Sequence, residues 1–287
     1  MSEVKITIGG GYSVKRSLRF YVRFFIHFCC WAVFTCVFAF GGYLWFKLIR
    51  EDVKAQALLD VKWYTPCYLT NWNFMFQTIF LTMSLAYDML EWFDRHDTAL
   101  GRKLKFCRDV MFSGLVVPLT LFISSMFWTL FWIDRELVFP EVYDQLVPWW
   151  FNHCVHTNIA IVVLIETLMV SRRHPTHFKL ELFMNGTAGV LYAIVYYSIY
   201  FFANRWLYGV FGIMTWWQVC LYQILIWTST FVFYFIQFPI NRIFHREESN
   251  EQKYMVTEVK KGIPNAGFKE EDSWIKHRTK RTENSSF

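Results

Sequence analysis

The sequence predicts an all-α fold: a polytopic membrane bundle of six transmembrane helices with both termini cytosolic. Three observations predict it. Apolar residues gather in runs close to the roughly 20 residues that a bilayer-spanning helix needs. Aromatic residues make up 21% of the 287, with 31 Phe, 14 Trp and 15 Tyr, well beyond the usage of a soluble domain. Basic residues collect in alternate loops.

The runs cover roughly 20–46, 67–91, 110–132, 151–170, 181–203 and 214–239. They are continuously apolar and lack the period-two alternation of barrel strands, so they read as helices. The first 19 residues are polar. The run after them is too long for a secretory signal and lacks a small-residue cleavage site, so it reads as an uncleaved anchor. This gives a cytosolic segment over 1–19, a membrane domain over 20–239 and a tail over 240–287. The tail is polar and charged and reads as disordered and cytosolic. Its ending, Ser285-Ser286-Phe287, has the form that can add a strand to a PDZ-type groove, although such endings also arise by chance.

Charge placement sets the orientation. Lys5, Lys15, Arg16, Arg19 and Arg23 flank the first run. Arg95, Arg102, Lys103, Lys105 and Arg108 fill the loop after the second, and Arg172, Arg173 and Lys179 the loop after the fourth. Arg242 and Arg246 follow the sixth. The first outer loop is the exception, with Lys47, Arg50, Lys54 and Lys62 partly offset by Glu51, Asp52 and Asp60. The net charge of +6 thus reports topology and implies no nucleic-acid partner. Trp149, Trp150, Trp206, Trp216 and Trp217 fit an aromatic belt at the outer interface. The sequons at Asn185 and Asn284 fall on the cytosolic side and are expected to be unused. The 7 Cys include no CxxC pair, which argues against zinc and redox motifs. Cys29 and Cys30 read as buried in the span rather than palmitoylated.

Two polar stripes interrupt this apolar pattern. In the second run, Thr70, Asn73, Gln77, Ser84 and Asp88 share a helix face within about 60°. Such a stripe should face the bundle interior or a cavity. Gln77 and Ser84 read as interhelical hydrogen-bonding groups. In the fourth run, Asn152, His156, Glu166 and Thr167 lie within about 50° of a common axis. Glu166 sits deep in an apolar run, where an acid costs about 2.5–3.5 kcal/mol on insertion scales. It needs to be neutral or paired, and Arg23, His27 or the face carrying Tyr192, Tyr196 and Tyr200 can supply the donor.

Both stripes enter from the outer side, so Thr70 and His156 lie at similar depth. A hydroxyl beside an imidazole is the arrangement of a nucleophile and its general base. A structural hydrogen bond explains the same placement. Asn73, Asn152 or the first amides of the fourth run can hold an oxyanion. His153 can orient His156, and Asp134 and Glu136 can orient His156 or His153; Asp134-Arg135-Glu136 can equally be an interfacial ion cluster. His153 and His156 are three apart on a helix, but no third ligand stands out, so no metal and no cofactor are expected.

These residues resemble the androgen-induced / androgen-dependent TFPI-regulating protein family. The likeness lies in Tyr68-Leu69-Thr70, in Phe131-Trp132 through Asp134-Arg135-Glu136 and Pro140, and in Asn152-His153-xx-His156-Thr157. Leu164-Ile165-Glu166 and Pro175 also fit. The match covers roughly Tyr68 to Pro239. The resemblance implies a multi-pass membrane hydrolase that splits fatty acid esters of hydroxy fatty acids, with Thr70 as nucleophile and His156, not His153, as the essential histidine. Asn71-Trp72-Asn73 replaces a more apolar stretch of better-known members, a change that bears on the acyl pocket. Leu69-Thr70-Asn71-Trp72 also resembles the rolling-stone proteins, where no hydrolase role follows. The expected partners are a lipid ester substrate and membrane lipids, in the endoplasmic reticulum or the plasma membrane. The rival reading is a non-enzymatic membrane scaffold or signalling protein. A lipid transporter is a weaker third, since it should show paired broken helices rich in Gly and Pro.

Overall fold

The computed structural model describes residues 3–4, 16–172 and 175–245. The tail from 246 onward, with Asn284 and the Ser285-Ser286-Phe287 ending, lies outside the described residues. The chain divides into two units, Met1–Asn241 and Arg242–Phe287. The site lies in the first.

Two two-residue strands, β1 (Glu3–Val4) and β2 (Arg16–Ser17), pair antiparallel with Glu3 opposite Ser17. The remaining elements are helical. They are α1 (Leu18–Arg50), α2 (Gln56–Tyr64), α3 (Leu69–Trp92), α4 (Ala99–Met111) and α5 (Val117–Ile133). There follow α6 (Trp149–His153), α7 (Ile159–Met169), α8 (Phe178–Ala203), α9 (Gly209–Gly212) and α10 (Trp216–Phe244). A π-helical turn over Phe112–Val116 joins α4 to α5, and a second over Cys154–Asn158 joins α6 to α7.

Among the described residues, five helices are long and apolar enough to cross a membrane: α1, α4–α5 as Ala99–Ile133, α6–α7 as Trp149–Met169, α8 and α10. The protein is therefore an all-α, multi-span membrane bundle. The expectation of six spans falls short at α3. Its 24 residues rise about 36 Å, but its face of Asn, Gln, Ser and Asp lowers its hydropathy below that of the other five.

The start of the third span also differs from expectation. It begins at Ala99, not near 110, because the Thr98 hydroxyl caps it by accepting the Gly101 N–H at 3.2 Å. A Cβ at Gly101 would lie 2.1 Å from the His96 carbonyl oxygen, so only glycine fits this cap. Arg102, Lys103, Lys105 and Arg108, expected in a loop, are on α4. Pro118 follows the π-turn, and its missing N–H explains why the regular ladder widens there. The first outer loop, in turn, holds the short helix α2.

The Ala99–Ile133 helix is the mostly buried centre of the bundle, whereas few residues of α1, α8 and α10 are buried. Phe25, Phe38, Phe183, Phe202 and Leu225 are among the exposed residues, as suits helices that face lipid. Lipid is as apolar as leucine, so helix association depends on close packing and polar contacts. Phe34 of α1 stacks on Phe74 of α3 at 4.7 Å and 3°, and Phe80 meets Phe112 at 5.0 Å. Gly114 in the first π-turn lets α8 approach; a Cβ there would lie 3.0 Å from the Glu181 backbone. The widened turn frees the Ser113 carbonyl, which accepts from Gln237 Nε2 of α10 at 2.9 Å.

The α3 stripe faces inward, with Asn73, Gln77, Ser84 and Asp88 all buried. Gln77 is an interhelical bridge as expected: Nε2 donates to Thr120 Oγ1 at 2.6 Å and to the Ile159 carbonyl at 3.2 Å. Ser84 is buried, but its hydroxyl has no partner among the described residues. At the far end of the bundle from Thr70, charges from four segments meet. His27 Nδ1 is 2.5 Å from Asp88 and its Nε2 is 2.8 Å from Glu166. Arg23 donates to Asp88 at 3.0 Å and to Glu91 at 2.5 Å. Arg172 donates to Glu166 and, at 3.2 Å, to Asp109, which also accepts from Arg108. Of the donors considered for Glu166, His27 is the one that reaches it. Arg23 serves α3, and Tyr192 lies at the other end.

Removing one member of a buried ion pair strands its partners. Glu166→Gln should lower the unfolding free energy in detergent by about 3 kcal/mol or more, against no measurable change for the exposed Glu51→Gln. Gly114→Leu should cost about 1–3 kcal/mol by overpacking against α8, read as a lower Tm.

Candidate active site

Thr70 is placed by the turn before α3. Pro66 lies in a short 3-10 turn over Thr65–Cys67, after which Tyr68 is extended and α3 begins at Leu69. Asn71 Nδ2 donates to the Thr65 carbonyl at 2.6 Å and Trp72 Nε1 to the Pro66 carbonyl at 2.8 Å, bracing that turn. Thr70 thus sits in the first helical turn, half-buried. The orphan Leu69 N–H donates to Tyr208 Oη at 3.1 Å, and Tyr208 Oη is 2.8 Å from Tyr192 Oη of α8.

His156 is placed by the second π-turn. The widened turn frees its carbonyl, which accepts from the Ser124 hydroxyl of α5. Its ring lies flat on Phe127, 3.5 Å between centroids and 5° from parallel. It is buried, and its Nδ1 has no partner among the described residues.

Thr70, Asn152 and His156 line one cavity of about 470 Å³. Its walls are mostly aliphatic and aromatic. No Asp, Glu, Lys or Arg is among the lining residues, which include six phenols: Tyr68, Tyr143, Tyr192, Tyr196, Tyr208 and Tyr222. Burial pushes the Tyr143 phenol above its ordinary value, while its hydrogen bond with Tyr68 pulls the other way. Burial likewise raises Tyr208, against the hydrogen bonds from Tyr192 and Leu69. Both stay neutral and able to donate. Tyr192 and Tyr208 carry two hydroxyl hydrogens. One is shared between them, and the Leu69 contact uses the backbone hydrogen. One O–H is therefore left over beside the first turn of α3.

The other candidates lie elsewhere. Asn73 is fully buried in the core, where Oδ1 accepts from Thr120 at 3.2 Å, and it does not line the cavity. His153 is exposed and stacks on Trp128 at 5.0 Å, with Nδ1 3.1 Å from Thr157 Oγ1. Asp134 and Glu136 hold their own loop: Asp134 accepts the Glu136 N–H at 3.0 Å, and Glu136 accepts the Glu141 N–H at 2.8 Å. Arg135 between them pairs with Asp144 at 2.9 Å. Glu166 belongs to the charged network at the opposite end. Among the described residues no hydrogen bond joins Thr70 to His156, and no group of three His, Cys, Asp or Glu is arranged to hold a metal.

These phenols escaped the sequence reading as site residues. Tyr192 was visible as part of a tyrosine face, but its partner Tyr208 lies beyond the helix, where no periodicity points to it. Trp206, expected at the interface, is packed against Tyr200 at 3.9 Å and Tyr196 at 5.1 Å.

A family model described as FAR-17a/AIG1-like protein matches residues 24–242. The androgen-dependent TFPI-regulating protein of Mesocricetus auratus is 33% identical over 204 residues, 65% of this chain and 84% of the relative. The Homo sapiens protein of that name is 30% identical over 190 residues, covering 62% and 79%. The androgen-induced gene 1 protein of Homo sapiens is 33% identical over 75 residues, 26% of this chain and 32% of the relative. No solved structure matches the chain. With the family model matching most of its length, the chain belongs to the FAR-17a/AIG1 family.

Proposed function

We propose that this protein is a membrane-embedded threonine hydrolase that cleaves fatty acid esters of hydroxy fatty acids. The observation that carries the reading is that Thr70 and His156, distant in sequence, line one uncharged, largely apolar cavity together with neutral phenols. The substrate class comes from the family resemblance of Tyr68-Leu69-Thr70 and Asn152-His153-xx-His156-Thr157. The basic-residue bias supports both termini in the cytosol, with α3 as a sixth crossing whose polar face is hidden by its neighbours. The cavity then opens toward the outer leaflet, in the endoplasmic reticulum or plasma membrane.

In this reading the ester lays its chains along the aromatic walls. His156 takes the Thr70 proton as the Thr70 oxygen attacks the ester carbonyl. The surplus O–H of the Tyr192–Tyr208 pair, with Asn152, holds the oxyanion. Collapse breaks the ester bond, and the histidinium returns its proton to the departing hydroxy fatty acid. Water, deprotonated by His156, then attacks the acyl-Thr70; the bond to the Thr70 oxygen breaks, the histidinium returns its proton to that oxygen and the fatty acid leaves. Asn73 is a core residue here, and His153, Asp134 and Glu136 support the outer loop and its helix. The rival reading, a non-enzymatic membrane scaffold, draws on one observation: the missing hydrogen bond between Thr70 and His156. Closure around substrate has to bring them together.

Fluorophosphonate labelling and lipid-ester hydrolysis by the purified full chain test the pair. Thr70→Ala should abolish both, and His156→Ala should slow them by about 10²–10⁴-fold. Wild-type rates in both variants would sink the enzyme reading. Tyr208→Phe and Tyr192→Phe should each lower kcat, up to about 10²-fold for loss of an oxyanion donor, with little change in KM. An effect on KM alone would make the phenols binding groups instead.

A further inference from the structure

The same cavity has a second polar feature that the hydrolysis step does not use. Its wall along α8 runs through Asn185, Gly186, Ala188, Gly189 and Tyr192. A Cβ at Gly186 or Gly189 would meet nothing within 4 Å, so this stretch of helix leaves a groove open. At the groove's far end, Asn185 is 3% exposed. Neither its Nδ2 nor its Oδ1 has a hydrogen-bond partner among the described residues. An amide buried without partners is costly, and a native structure keeps one where something else completes it.

Position and charge narrow what that is. Tyr192 is tied through Tyr208 to the Leu69 N–H, which sets it level with the Thr70 turn. Asn185 lies seven residues earlier on α8, two helical turns or roughly 10 Å deeper. A chain whose ester sits at Thr70 can therefore reach Asn185 part-way along its length. The amide offers a donor and an acceptor but no charge. With no Arg or Lys in the lining, an ionised group at that depth would have nothing to offset its desolvation.

We infer that Asn185 recognises a neutral oxygen function, a hydroxyl or carbonyl, carried part-way along a fatty acyl chain bound in this cavity. The site therefore selects oxygenated acyl chains over plain ones. The inference rests on the cavity being the lipid site of the proposed hydrolase, but it does not require that Thr70 react.

The test is binding to the full chain in lipid nanodiscs, read by quenching of tryptophan fluorescence. The probes are stearic acid, a mid-chain hydroxystearic acid and its keto counterpart; none carries an ester, so hydrolysis does not enter. Wild type should bind at least one oxygenated acid about tenfold or more tightly than stearic acid, because a site built around a polar group discriminates against analogues lacking it. The hydroxy and keto arms show whether the donor or the acceptor of the amide matters more. Asn185→Leu should erase the preference while keeping stearic acid affinity, and Thr70→Ala should keep the preference even if all hydrolysis is lost. If Asn185→Leu does not fold, Gly189→Leu, which fills the groove short of Asn185, should remove the preference and leave octanoic acid binding intact. Equal binding of the three acids by wild type would mean that the amide holds only water and would overturn the inference. So would an undiminished preference in Asn185→Leu or Gly189→Leu. Loss of hydrolysis with the preference intact would leave it standing.

Discussion

Glu166 is an acid in the interior of a membrane bundle, and its solvation organises the helices around it. His27 of α1 reaches it from one side and Arg172, just beyond α7, from the other. His27 also meets Asp88 of α3, and Arg172 meets Asp109 of α4. One carboxylate thus ties together four segments that lipid alone gives no reason to associate. The pairing resolves an expense that each helix would carry separately: none of these charges is tolerable in hydrocarbon alone, and together they are mutually compensated.

That network sits at one end of α3 and α7, and the candidate site sits at the other. The two helices are clamped at their charged ends, so the depths of Thr70 and His156 follow from helix length rather than from a contact between them. The π-turn between α6 and α7 then makes the local adjustment. It widens the helix at His156 and hands its carbonyl to Ser124 of α5. The ring is held against Phe127 instead of being held by a hydrogen bond. This leaves Nδ1 without a partner among the described residues.

The cavity combines two demands that usually conflict. It is apolar enough for acyl chains, yet it contains hydroxyls, amides and an imidazole. The conflict is settled by neutrality. Phenols pair with each other and cap the start of α3, so their polarity is largely satisfied within the protein wall. His156 Nδ1, the Tyr196 hydroxyl and both polar atoms of Asn185 have no partner among the described residues, and of these Asn185 is the one that offers both a donor and an acceptor on an uncharged amide. The glycines beside it on α8 add no bulk, so the groove reaches it without displacing a side chain.

Much of this was legible in the residues themselves. The helical class follows from the length of the apolar runs. The inward face of α3 follows from the spacing of Asn73, Gln77, Ser84 and Asp88, and the need for a partner to Glu166 from the cost of burying an acid. The number of apolar spans was less legible, because the stripe that makes α3 a core helix also weakens it as a span. The basic residues of α4 looked like a loop because charge alone does not reveal a Thr98 cap. The sequence by itself determined which residues had to be hidden from lipid, because hydropathy and helical spacing are local properties. Only the tertiary structure decided which of them meet, His27 with Glu166 and Tyr208 with Tyr192 and the Leu69 amide, and that Thr70 and His156 line one cavity. Those pairings depend on how helices far apart in the chain are rotated and set in depth, and no local pattern encodes that.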